Sequence, residues 1–169
     1  GHAAGDELLK LVADRLRPII GRRNVFARLG GDEFGLIVTG DCSDEALRQL
    51  GEEVARALQA PFEMPNARVR VAGSLGFATF PAAASDPQEL FERADYALYN
   101  AKETRRGSVV LFSAEHETRI RETSRIAQAL RAANLAAELW VAYQPIVDTK
   151  TNKVVSLEAF TRWEHPELG

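Results

Sequence analysis

Arg28-Leu29-Gly30-Gly31-Asp32-Glu33-Phe34-Gly35-Leu36-Ile37-Val38 is the stretch around which the chain is organised. Val25, Phe26, Ala27 and Leu29 before the glycines suit a strand, and Phe34, Leu36, Ile37 and Val38 after them suit another. The residues between read as a tight hairpin turn, with Gly30 and Gly31 supplying the positive φ angles that such a turn needs. A plain hairpin does not need two neighbouring carboxylates at its tip. Asp32 and Glu33 stand there, next to backbone that no Cβ shields, where a phosphate chain and a divalent cation can approach. A solvated turn that uses Asp for its geometry is the competing reading, and these residues alone leave both open.

The chain has 169 residues, 46% hydrophobic and 27% charged, with a formal net charge of −3. That is room for one ordinary domain and part of a second. No long basic run exists, which argues against nucleic acid as a partner, although a single nucleotide needs only a few cations. Cys42 is the only cysteine, so neither a disulfide framework nor a Cys-based metal site can form, which fits a reducing, cytoplasmic compartment. No apolar run is long enough to span a membrane, and no membrane contact is expected within this segment. The chain begins at Gly1 without a methionine and reads as an excerpt, outside which sensor or membrane segments would lie.

Residues 6–20 carry Leu8, Leu9, Val12, Leu16 and Ile19 at helical spacing, with Lys10, Asp14, Arg15 and Arg17 facing outward. Asp6 stands at the start, where a carboxylate suits the helix dipole. Pro18 is expected to kink or end the helix early; if it runs on, Gly21 can cap it. Ser43-Asp44-Glu45 opens a second helix with Ala46, Leu47, Leu50, Val54 and Leu58 inward and Glu52, Glu53 and Arg56 solvated. Pro61 and Pro65 mark a loop. Residues 67–80 alternate as one strand, with Gly73 and Gly76 marking a bulge or a close backbone approach. Asp86-Pro87-Gln88-Glu89 starts a third helix with Leu90, Ala94, Ala97, Leu98 and Ala101 inward. Lys102 and Arg106 share a face if that helix reaches them; two cations at a negative helix end are the simpler account. Val109 to Phe112 forms a closing strand. Residues 114–133 read as a polar connector helix that Asn134 can end. Leu139 to Val147 and Val154 to Trp163 form a hairpin across a polar turn at Asp148 to Lys153. Glu158, Phe160 and Arg162 fall on one face of its second strand, where an acid and a base are more often an ion pair than a site.

The signature at Gly30 to Phe34 resembles that of the GGDEF family, the diguanylate cyclases that make cyclic di-GMP from two GTP molecules. Gly1-His2-Ala3-Ala4-Gly5-Asp6 resembles the family's GHxxGD element, and Ala94-Asp95-Tyr96-Ala97-Leu98-Tyr99-Asn100-Ala101-Lys102 its ADxALYxAKxxGR element. The resemblance implies Asp32 and Glu33 as metal ligands and catalytic acids, with Mg2+ or Mn2+ as cofactor. It implies Asp6 on the guanine edge, the Gly30-Gly31 backbone close to the phosphates, and Lys102 and Arg106 on triphosphate oxygens. It also implies a strand beside the signature hairpin at Ser74 to Ala78. Arg105 departs from the family's usual Gly, which is expected to crowd the turn before Arg106. The family's product-inhibition motif, RxxD, reads Gly21-Arg22-Arg23-Asn24 here, so that site is absent.

Tyr143-Gln144-Pro145-Ile146-Val147 and Leu157-Glu158-Ala159-Phe160-Thr161-Arg162-Trp163-Glu164-His165-Pro166 resemble the opening of EAL domains, metal-dependent phosphodiesterases that linearise cyclic di-GMP in a β/α barrel. That resemblance implies Glu158 as a metal ligand, with Gln144 and Arg162 near the substrate; Phe160 replaces the signature Leu.

The expected architecture is α/β. It comprises a GGDEF-type, nucleotide-cyclase or palm-like mixed sheet with flanking helices over 1–113, a connector helix over 114–136, and the first hairpin of an incomplete EAL barrel over 137–169. The expected function is synthesis of cyclic di-GMP from GTP by a head-to-tail homodimer, with an attached phosphodiesterase domain. The alternative is a GTP-binding GGDEF domain that regulates its EAL neighbour without turnover. GGDEF domains begin with a strand carrying a second metal-binding Asp, which this chain lacks. The excerpt alone is therefore expected to yield no cyclic di-GMP from Mg2+ and GTP.

Overall fold

The computed structural model describes residues 2–65 and 67–169. Gly1, the first residue of the GHxxGD run, lies outside them. Two compact units divide the chain, one ending at His116 and the other starting at Glu117.

In the first unit, α1 runs from His2 to Ile20. Val12, Leu16 and Ile20 are buried, and Leu8, Leu11 and Ile19 pack against them. Of the two expected courses at Pro18 the helix takes the second and runs on, because burial of Ile20 and partial burial of Ile19 oppose the cost of a lost backbone bond. Gly21 closes it at φ +77°, its N–H donating to the Arg17 carbonyl at 3.1 Å. Asp6 is not at the helix start: it lies beyond the first turn, outside the reach of the dipole reading.

Strands β1 (Val25–Gly30) and β2 (Glu33–Ile37) pair antiparallel, with Gly30 opposite Glu33 and Gly31-Asp32 as a two-residue connection. Only Gly31 takes a positive φ, +51°; Gly30 is a strand residue, so one glycine, not two, supplies the left-handed backbone. The register slips between Arg28 and Gly30, leaving Leu29 as a bulge. Asn24 pins the base of the hairpin, donating to the Ile20 carbonyl at 2.7 Å and accepting from the Thr39 N–H at 2.9 Å.

Helix α2 (Asp44–Gln59) begins at the Ser43 cap and buries Leu47, Val54 and Leu58. Arg15 does not face outward as its helical position suggests. Its guanidinium lies 3.4 Å from the centre of the Phe62 ring. It donates to the carbonyls of Ala57 (3.1 Å), Ala60 and Pro61 (2.8 Å), closing the C-terminal end of α2. The segment after α2 is not merely a loop: β3 (Phe62–Met64) pairs antiparallel with β4 (Ala67–Val69), and Phe62 is fully buried.

The single strand expected over 67–80 is two strands in different ladders. β4 ends at Val69, and β5 (Leu75–Phe77) pairs parallel with β6 (Val109–Leu111). Gly76 is a point of close backbone approach. A Cβ there would lie 2.1 Å from the Leu98 nitrogen and 2.4 Å from the Ala94 carbonyl oxygen of α3 (Pro87–Thr104). Among the described residues β5 is not hydrogen-bonded to the signature hairpin, and the four ladders are two-stranded and separate. Burial joins them instead: Leu36 and Val38 beyond the turn pack on Leu47, Phe77 and Leu111.

Asp86 caps α3, accepting from the Glu89 N–H at 2.8 Å, and Glu89 accepts from the Ser85 N–H and hydroxyl, both at 2.7 Å. Donation by the Ser85 backbone, then by its hydroxyl, holds the Glu89 carboxyl below the ordinary value of 4.5. A depressed folded value means stability that is present above the unfolded pKa and lost as pH falls through the folded one. Glu89→Gln is therefore expected to be less stable than the parent sequence at neutral pH. The gap should close as pH drops below the ordinary carboxylate range, read from urea midpoints against pH.

Helix α4 (Ala114–Ala132) has no buried residue, as its sparse apolar points imply. In the second unit, Asn134 does not end α4 but precedes the short helix α5 (Leu135–Glu138). Glu138 accepts from the Trp163 indole N–H at 3.0 Å and the Asn134 N–H at 2.8 Å, which together hold its carboxyl below the ordinary range. β7 (Leu139–Val147) and β8 (Val154–Trp163) form the expected hairpin. Asp148 shapes its turn by accepting from the N–H groups of Lys150 and Thr151, both at 2.8 Å. Among the described residues no helix is long and apolar enough to cross a membrane.

Candidate functional site

The turn of the β1–β2 hairpin exposes Asp32 and Glu33 at the end of a strand pair stiffened from within by the Phe26 and Phe34 rings, stacked at 5.2 Å. The bulge at Leu29 leaves Arg28 opposite Phe34 just before the turn. Arg28 then bends back to it: its Nε donates to the Gly31 carbonyl at 3.0 Å. Its Nη2 lies 3.7 Å from Oδ1 of Asp6 on α1. Sequence reasoning assigned Arg28 no role. The signal available was its position on the strand two residues before the glycines, which says nothing about α1.

On the other side, α3 carries Lys102 to within 4.0 Å of the Glu33 carboxylate. Three segments distant in sequence, the front of α1, the signature turn and the end of α3, thus bring Asp6, Gly30, Gly31, Asp32, Glu33 and Lys102 into one neighbourhood. Arg106 does not share a helical face with Lys102, because α3 ends at Thr104. The expected crowding by Arg105 does not arise at its own backbone. Arg105 is extended at φ −160°, and Gly107 takes the positive φ, +83°.

A cleft of about 430 Å3 opens between α1 and the hairpin. Leu9, Ala13, Phe26 and Phe34 give it apolar walls, and Asp6, Lys10, Arg17 and Arg28 supply charge. An apolar slot with a few convergent polar groups suits a planar base and its phosphates. Asp32 and Glu33 are hard oxygen donors, and no cluster of three or more His, Cys, Asp or Glu ligands exists among the described residues. That donor set fits Mg2+, which takes one or two carboxylates and fills its remaining positions with phosphate oxygens and water.

In the second unit, Gln144 and Glu158 stand directly opposite each other on β7 and β8. Arg162 makes no ion pair with Glu158. Its guanidinium lies over the ring of Phe160 at 5.4 Å, so the residue replacing the signature Leu supplies the surface on which the arginine rests.

Residues 1–108 match the family model described as diguanylate cyclase, GGDEF domain, and residues 126–169 match that of the EAL domain. Over its whole length the chain is 33% identical to the bifunctional diguanylate cyclase/cyclic di-GMP phosphodiesterase MucR of Pseudomonas aeruginosa, of which it covers 24%. It is likewise 36% identical to the cyclic di-GMP phosphodiesterase PdeR of Escherichia coli, of which it covers 25%. It therefore spans about a quarter of the length of these relatives. The GGDEF domain of YfiN (TpbB) from Pseudomonas aeruginosa superposes with a TM-score of 0.64 at 32% identity, covering 76% of this chain and 71% of that one. With two acids on a glycine turn, a lysine from α3 beside them and a family match across the same segments, the chain belongs to the GGDEF diguanylate cyclase domain family over residues 1–108 and continues into the start of an EAL domain.

Proposed function

We propose that the whole protein condenses two GTP molecules to cyclic di-GMP through its GGDEF domain, with an EAL domain that opens the product attached to the same chain. The proximity of Lys102 to Glu33 beside a turn that Arg28 links to Asp6 is the observation that carries this reading. Asp6 would accept from the N1–H and N2–H groups of guanine. Gly31 lets phosphate oxygens approach backbone that has no Cβ. Asp32 and Glu33 would hold a Mg2+ or Mn2+ ion, which when bound neutralises charge on the triphosphate. Lys102 would then exchange its contact with Glu33 for phosphate oxygens and offset charge on the leaving pyrophosphate, with Arg106 assisting from the turn after α3. Each half of a head-to-tail homodimer would hold one GTP, so that the 3′-hydroxyl of one meets the α-phosphate of the other and catalysis is mainly positioning.

The proposed domain division is 1–113, 114–136 and 137–169, with Glu158 as the EAL metal ligand and Gln144 and Arg162 near its substrate. The proposed compartment is the cytoplasm. A second reading, GTP binding without turnover in the service of the EAL domain, is favoured by one observation. PdeR, similar along the whole chain, is named a phosphodiesterase alone.

The test is full-length protein incubated with GTP and Mg2+ or Mn2+, with product resolved by liquid chromatography. Cyclic di-GMP formation that chelation abolishes is expected. Saturable GTP binding with no product would select the regulatory reading, and absence of both would overturn the assignment.

A further inference from the structure

We infer that Arg28 is a positioning residue of the nucleotide site, fixing the Asp6 carboxylate and the signature turn in a single register. The inference rests on the proposed role of Asp6 at the guanine edge. Arg28 addresses both partners with one planar fork: Nε donates to the Gly31 carbonyl at 3.0 Å, while Nη2 faces Asp6 Oδ1 at 3.7 Å. A lysine presents one point charge and cannot span two acceptors in a fixed geometry. The fork lies against the cleft that Phe26, Phe34, Leu9 and Asp6 also line. The side chains of Arg28 and Asp6 are 45% and 62% exposed, so their pairing adds little to folding stability. Its consequence is orientation. Steered through one oxygen, the carboxylate is held in one plane, so that it can meet two adjacent N–H donors side by side, and the turn that places Asp32 and Glu33 is braced by the same side chain.

Guanine offers a carboxylate two donors, N1–H and N2–H, whereas hypoxanthine offers only the first. A steered carboxylate separates the two bases; a swivelling one does not. Affinities of the full-length protein for GTP and ITP, measured by calorimetry with Ca2+ in place of Mg2+ to prevent turnover, therefore read the role directly. The parent protein should prefer GTP by about tenfold or more, the worth of one charge-assisted hydrogen bond. Arg28→Ala should weaken GTP binding by about the same factor and leave ITP nearly unchanged, so that the preference collapses. Arg28→Lys, which keeps charge and aliphatic stem, guards against a folding defect and should fail to restore discrimination. An unaltered GTP-to-ITP ratio in both variants would overturn the inference, as would equal losses for the two nucleotides. Failure of the parent protein to distinguish GTP from ITP would instead overturn the role of Asp6, and the inference with it.

Discussion

Asp32→Asn in the full-length protein should lower cyclic di-GMP synthesis on the order of 10²–10³-fold, the usual loss when one group aligned with developing charge is removed. Asn keeps the shape and turn preference of Asp but carries no charge, so the β1–β2 hairpin should survive. The side chain sits exposed at the tip of a two-residue connection, where a substitution usually shifts stability by no more than about 0.5 kcal/mol. The measurement is initial rate against Mn2+ concentration, with the melting temperature as the structural check. Hydrolysis of added cyclic di-GMP by the EAL domain should be unchanged, which separates loss of the cyclase site from loss of the protein. Synthesis surviving within a factor of about three would show that Asp32 only shapes the turn.

The largest stability effect is expected at Gly76. A Cβ at that position meets backbone, not movable side chains: the Leu98 nitrogen at 2.1 Å, the Ala94 oxygen at 2.4 Å and the Leu98 Cα at 2.7 Å. Neither β5 nor α3 can yield by rotating a torsion. The helix must lift from the strand, exposing Ala97 and Ala101, which have no accessible surface. Gly76→Ala should cost about 3 kcal/mol, and Gly76→Val more, at the upper end of what overpacking produces. Urea unfolding of the first unit followed by far-UV circular dichroism measures it. The cost has a functional arm, because α3 also carries Lys102 to Glu33. Any variant that lifts the helix without unfolding it should lose synthesis as well.

Much of the local structure was legible because it depends on neighbours in the sequence. Ser43 and Asp86 announce helix starts through side-chain oxygens that accept from nearby N–H groups. The hairpin at 139–163 follows from strand-forming runs flanking an Asp that builds its own turn. Misreadings fall where distant segments decide. The alternation over 67–80 suggested one strand, but pairing partners on either side pull it into two ladders. Arg15 has a solvent-facing helical position, yet the open carbonyls ending α2 and the ring of Phe62 draw it inward. At Pro18 the sequence left both courses open, and entry of the next residues into the core decided between them.

For this protein the sequence alone determined the family, because motif letters and turn glycines are local, short-range properties, and it named the candidate side chains. Only the tertiary structure decided which of those side chains meet. Arg28 reaches Asp6 across a gap of more than twenty residues, and Lys102 reaches Glu33 across nearly seventy. Such meetings depend on the close seat of α3 on Gly76 and of α1 on the shared core, and long-range packing leaves no periodicity in the chain from which to read it.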